Sequence, residues 1–180
     1  SIGIQNLKIW NRAIDKSIFR PIISEELDPY YLYVGRVSRE KNLEAFFSLD
    51  LDLPKVVVGE GPQLKEYKKK FSEVNFIGYK FGHELAEIYS NARVKVFPSL
   101  TDTFGLVMLE ANACGTPVAA YPVTGPIDVI SNGQNGYYDQ DLKNAIEKAC
   151  SINRASCFEF ADQFSWSNVA KQFLDTLIRF

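Results

Sequence analysis

Short, nearly continuous apolar runs alternate along this chain with stretches in which apolar residues recur every three or four positions. The runs Tyr30 to Gly35, Lys55 to Gly59, Val74 to Gly78, Val94 to Pro98 and Pro117 to Tyr121 read as strands. Tyr137-Tyr138 reads as a shorter one, and Leu7 to Trp10 as another near the start. Val56-Val57-Val58 lacks polar alternation, as in strands covered on both faces of a parallel sheet. Helices are predicted over Arg39 to Leu49, with Ser38 as N-cap, and over Pro62 to Phe71, with proline in the first turn. Two more are predicted over Glu84 to Asn91, with Leu85, Ile88 and Tyr89 on one face, and over Phe104 to Cys114, stopped by Gly115 and Pro117. Asp141 to Cys150 and two further helical stretches carry the chain to Phe180. Such alternation predicts an α/β fold: a right-handed, doubly wound parallel sheet that binds ligands at the carboxyl ends of its strands.

Composition narrows the function. With 46% hydrophobic and 23% charged residues in 180, the chain has ample material for one packed core and is not disordered. Lys plus Arg number 20 against 22 acids, a balance that offers no electrostatic footprint for nucleic acid. No apolar stretch approaches the ~18 residues of a membrane span. Cys114, Cys150 and Cys157 form no Cys-x-x-Cys pair, and His83 is the single histidine, so a zinc site is not expected. Reduced thiols suit a cytoplasmic location.

Four loops at strand ends carry candidate chemistry. In Gly35-Arg36-Val37-Ser38-Arg39-Glu40-Lys41, two cations flank a helix start, a combination suited to phosphate; a solvated basic turn pairing with Glu40 or Glu44 is the plainer reading. Gly59-Glu60-Gly61-Pro62-Gln63-Leu64 resembles a dinucleotide fingerprint, but Leu64 stands at the third glycine and no acid closes the next strand, so a tight turn is expected rather than a nicotinamide site. Gly78-Tyr79-Lys80-Phe81-Gly82 allows a flat base to approach the main chain, with His83 an ordinary helix-start residue. The fourth runs from Ser99 to Ala111 and holds Asp102 and Glu110. In one helix they would lie ~12 Å apart, beyond the ~5 to 9.5 Å of a hydrolase carboxylate pair. Asp102 is therefore placed in the loop and Glu110 in the second helical turn, touching different parts of one extended ligand, with the amides of Thr103, Phe104, Gly105 and Leu106 between them. The basic run Lys65 to Lys70 reads as a solvated helix face, with an anionic membrane surface as the lesser alternative.

Taken in order, these segments resemble the carboxyl-terminal, donor-binding domain of retaining glycosyltransferases of the two-Rossmann-domain (GT-B) architecture. Trp10 to Pro21 is similar to the family's W-x-R-G-V-D and F-x-P joining segment, with Ala13 and Ile14 in place of Gly and Val. Gly35-Arg36 with Glu40-Lys41, Gly59-Glu60-Gly61-Pro62, Asp102 to Glu110, Gly115-Thr116-Pro117-Val118 and Asn135-Gly136 match further family motifs. The resemblance implies a linker and leading strand over 1–29 and a Rossmann-like nucleotide-sugar domain over 30–180, one half of a GT-B enzyme. It implies that Arg36 and Lys41 hold the donor diphosphate and stabilise the leaving group, that Asp102 contacts the donor sugar, and that Glu110 bonds the ribose. Gly35, Gly61, Thr103, Phe104, Gly105 and Leu106 would border the donor, and Tyr79 and Lys80 the base. The donor would be a UDP- or GDP-sugar, transferred with retention, without metal or other cofactor, to a glycan or lipid acceptor held by an amino-terminal domain outside this chain. A domain alone would bind nucleotide without catalysing transfer. Location would be cytoplasmic, extending to the inner face of the membrane, and nucleic acid is not expected. Asp102 departs from the family's glutamate by one methylene. A nucleotide-sugar epimerase and a non-catalytic interaction module remain as alternatives.

Overall fold

A computed structural model describes residues 10, 12–22, 28–102 and 104–177. Six strands form one sheet: β1 (Tyr31–Val34), β2 (Lys55–Val58), β3 (Asn75–Gly78), β4 (Val94–Phe97), β5 (Val118–Ala120) and β6 (Gly136–Tyr138). All pairings are parallel and the order is β3-β2-β1-β4-β5-β6. The order reverses between β1 and β4, the place where doubly wound sheets open a ligand crevice. The expected sheet is therefore present. The suggested strand at Leu7 to Trp10 falls outside the described residues except for Trp10, which is irregular.

The helices are α1 (Leu43–Phe47), α2 (Leu64–Lys70), α3 (Gly82–Asn91), α4 (Leu106–Ala113), α5 (Pro126–Val129), α6 (Leu142–Ala149), α7 (Arg154–Asp162) and α8 (Trp166–Thr176). Because strand side chains alternate, the sheet feeds two cores. Leu32, Val34, Val58 and Val118 pack against Leu85 and Tyr89 of α3, Met108 and Leu109 of α4, and Val129 of α5. Tyr31, Tyr33, Val57 and Val96 pack against Phe46 and Phe47 of α1, Tyr67 of α2, and Ile146 of α6.

Several helix starts differ from expectation, α3 among them, which begins at Gly82 rather than Glu84. The helix predicted over Arg39 to Leu49 is broken: a 3-10 turn covers Arg39–Lys41, and Asn42 stands in the left-handed region at φ 53° before α1 begins. Asn42 Nδ2 donates to the Pro98 carbonyl at 3.1 Å, which fixes the break. Ser38 does not cap; its hydroxyl donates instead to Glu40 Oε1 at 2.6 Å. α2 and α4 each start two residues late, since Pro62-Gln63 and Phe104-Gly105 complete turns before the helical ladder begins.

The turns after β1 and β2 lie against each other. A Cβ on Gly59, at φ +131°, would stand 2.0 Å from the Gly35 carbonyl oxygen, and one on Gly61 would stand 2.1 Å from that of Val37. Val37 N donates to the Glu60 carbonyl at 2.9 Å, and Gln63 N to that of Val37 at 3.2 Å. Farther from the crevice, Asn112 and Asn135 form a buried network. Asn112 Nδ2 donates to the carbonyls of Thr116 and Asn135, and its Oδ1 accepts from Asn135 Nδ2. The segment before β1 docks on the last two helices through Ile14 N to the Phe164 carbonyl at 2.9 Å and Lys16 to Asp162 at 2.7 Å.

Candidate functional site

The crevice at the carboxyl ends of the strands has two chambers. One, of about 480 Å³, is bordered by Phe19, Tyr79, Lys80, Phe81, Leu85 and Glu110. The other, of about 370 Å³, is bordered by Lys41, Ser99, Asp102, Phe104, Gly105 and Leu106. Val34, Gly35, Arg36 and Val107 belong to both walls, so the chambers meet at Arg36. The sheet topology brings these residues together: Arg36 and Lys41 follow β1, Tyr79 and Lys80 follow β3, and Asp102 to Glu110 follow β4.

Each expected site residue can now be placed. Arg36 is exposed at the junction. Lys41 is engaged by Asp102, with Nζ 2.5 Å from Oδ1 and both side chains about four-fifths covered. The other Asp102 oxygen, Oδ2, is buried and accepts no hydrogen bond among the described residues. Phe104, Gly105, Leu106 and Val107 bring the start of α4 to the wall, where unpaired amides and the helix dipole favour an anion. Gly35 borders both chambers, whereas Gly61 borders neither and is pressed against the Val37 backbone. Thr103 lies outside the described residues. Tyr79 and Phe81 stack with centroids 6.1 Å apart at the outer rim, and Lys80 Nζ lies 2.5 Å from Glu84 Oε1. His83 is exposed on α3, as its plain reading anticipated.

Glu110 occupies the second turn of α4 and faces the first chamber, while Asp102 faces the second. The two acids thus address different parts of one trough. Tyr89 Oη donates to Glu110 Oε2 at 3.0 Å. Burial pushes the Glu110 carboxyl above the usual carboxylate range, opposed by that hydrogen bond and by the charge of Lys95. Glu40 is held below the usual range by the Ser38 hydroxyl and its own amide, with Arg36 and Lys41 adding to the effect. The plainer pairing of this turn with Glu44 does not form, since Glu44 is taken by Lys70 and Arg39 lies 3.9 Å from Glu66.

Sequence reasoning missed Phe19, Glu60, Phe81, Leu85 and Val107 as wall residues. It also missed Lys95, fully buried in β4. The signal for Lys95 was present, a lone cation inside the apolar run Val94 to Phe97. The three cysteines are free thiols, and no group of metal-binding side chains occurs among the described residues.

Known proteins share this sequence pattern and this fold. Residues 15–156 match the family model described as glycosyl transferases group 1. A sulfoquinovosyl transferase of Arabidopsis thaliana is 34% identical over 72% of this chain and 29% of its own length. A GDP-mannose-dependent alpha-mannosyltransferase of Corynebacterium glutamicum is 32% identical over 96% of this chain and 47% of its own. Sucrose-phosphate synthase from Thermosynechococcus elongatus superimposes with a TM-score of 0.78 at 27% identity, over 93% of this chain and 51% of that one. Anabaena HepE in complex with UDP and glucose gives 0.74 at 19% identity, over 94% and 56%. The chain spans about half or less of the length of these proteins.

Proposed function

The chain belongs to the glycosyl transferases group 1 family, and from that premise we propose that it is the nucleotide-sugar half of a two-domain glycosyltransferase. The single observation that carries this reading is the pair of chambers joined at Arg36, with Glu110 and Tyr79 on one side and Lys41 and Asp102 on the other. A nucleoside diphosphate sugar has that layout, with a nucleoside at one end, a sugar at the other and a diphosphate between.

In this reading the base lies against Tyr79 and Lys80, and the ribose hydroxyls donate to Glu110. The diphosphate sits on Arg36, Lys41 and the start of α4. The sugar occupies the second chamber, where the free Asp102 Oδ2 accepts from a hydroxyl. As the glycosidic bond breaks, negative charge grows on the diphosphate. Arg36, Lys41 and the α4 amides oppose that charge more strongly in the transition state than in the bound donor, which lowers the barrier. These cations and the helix end do the neutralising, so the reading requires no metal. The acceptor hydroxyl, from a glycan or lipid, attacks on the open side with a second domain holding the acceptor, and configuration is retained. The corynebacterial relative is GDP-mannose-dependent and the Anabaena structure holds UDP, which keeps both nucleotides in view. No helix among the described residues is long and apolar enough to cross a membrane; a cytoplasmic location, at the membrane face where the acceptor is a lipid, goes with this reading.

Calorimetry with UDP and with GDP tests it. The protein is expected to bind one of them, and Arg36→Ala with Lys41→Ala is expected to abolish binding. Unchanged affinity in the double variant would refute the diphosphate assignment.

A further inference from the structure

Lys95 is 0% exposed in a sheet covered on both faces. The β1–β4 ladder holds only at Tyr31–Val94 and Leu32–Lys95, after which the two strands part and the crevice opens. Lys95 is thus the last residue of β4 paired with β1 beneath the split. Its Nζ lies 5.1 Å from the ring centroid of Tyr33 and 5.1 Å from that of Phe97. Both rings border the chamber that holds Lys41 and Asp102. Among the described residues, its ammonium gives one hydrogen bond, to the Val96 carbonyl at 3.1 Å. An ammonium has three donors, so two N–H groups are buried without an acceptor, a costly arrangement that an apolar residue would avoid. Asp102 Oδ2, in the same region, has no partner among the described residues.

The charges around the crevice show what such a cation could supply. Lys41 is shared with Asp102 and Arg36 with Glu40, so a further cation behind the crevice adds to the positive charge that Arg36, Lys41 and the α4 amides offer a diphosphate. Facing Lys95 are Glu110 from α4, Asp102 from the loop after β4, Lys41 from the 3-10 turn and the ring of Tyr33 from β1. Tyr89 of α3 faces it indirectly, through Glu110. Burial pushes the ammonium down to about 7; Glu110 and Asp102 pull it back up, and Lys41 lowers it further. The group is therefore partly neutral at physiological pH.

Resting on the diphosphate reading above, we propose that Lys95 is a positioning residue for the donor: a cation behind the crevice floor that takes up a proton as the diphosphate settles above it. An anion arriving nearby favours the charged form. By linkage, the charged form in turn binds the anion more tightly, and the dry floor gives that charge more weight than a solvated one.

The test is calorimetry of UDP and GDP binding at pH 8, run in buffers of different ionisation enthalpy. That pH lies above the range in which imidazoles and phosphate monoesters ordinarily titrate. The wild-type protein is expected to absorb roughly half a proton or more per nucleotide, and its Kd to weaken several-fold from pH 7 to pH 9. Lys95→Met is expected to bind without uptake and with a flat pH profile. Nucleotide binding by the wild type without proton uptake, or uptake retained in the variant, would overturn the proposal and leave the diphosphate site standing. No binding of either nucleotide by the wild type would overturn both.

Discussion

Replacing Lys95 with methionine should make the protein more stable and its stability less sensitive to pH. Methionine matches the lysine stem in length and fills the same slot without a charge. The ammonium is driven from its ordinary 10.5 to about 7 by burial, which corresponds to roughly 5 kcal/mol against the charged form. The unfolded chain keeps this proton up to about pH 10, whereas the folded chain releases it near pH 7. Between those limits the unfolded state binds more protons, so wild-type stability rises with pH, by about 1.4 kcal/mol per pH unit from this group. Urea denaturation at pH 6 and pH 9 reads the effect. Lys95→Met is expected to exceed the wild type by several kcal/mol at pH 6, and the gap to narrow by roughly 2.5 kcal/mol at pH 9. The buried thiols of Cys114 and Cys157, pushed up to about 12, also shift the alkaline end, but both proteins carry them and the difference cancels. A gap equal at the two pH values, or a variant less stable at pH 6, would refute the reasoning.

Other outcomes follow from the same geometry. Glu110→Gln should lose nucleotide affinity while raising Tm at pH 7. The raised carboxyl holds its proton more tightly when folded, so ionising it costs stability as pH climbs through and above the usual carboxylate range; the Tm advantage should vanish at pH 4. Asn112→Ala removes three buried hydrogen bonds and strands the Thr116 carbonyl, while that of Asn135 keeps the Val118 amide, an expected loss of about 3 kcal/mol in urea denaturation with no effect on nucleotide affinity.

Much of the fold was legible because parallel strands covered on both faces leave continuous apolar runs, as at Val56-Val57-Val58. The placement of Asp102 in a loop and Glu110 on a helix was legible too, since residues so spaced cannot meet on one helix face at close range. What escaped were effects with no local signature. Asn42 breaks the first helix because its side chain finds the Pro98 carbonyl, 56 positions away in sequence. Gly61 looked like a ligand-contacting glycine, yet its missing side chain is demanded by Val37. Phe19 reaches the first chamber from the linker, an approach that periodicity along the chain does not encode. Lys95 stood in plain view, but a polar residue in a strand reads as an edge or a surface until the strand's neighbours on both sides are known.

The locking of the turns after β1 and β2 separates two tasks. With carbonyls of one turn seated where the other has no side chains, and amide hydrogen bonds crossing between them, the two pack as a single plate. A side chain at Gly59 or Gly61 would force the turns apart, so this contact sets the wall that carries Gly35 and Arg36. In the proposed reading, adjustment to different sugars falls to Ser99, Asp102, Phe104 and Gly105, which border only the far chamber.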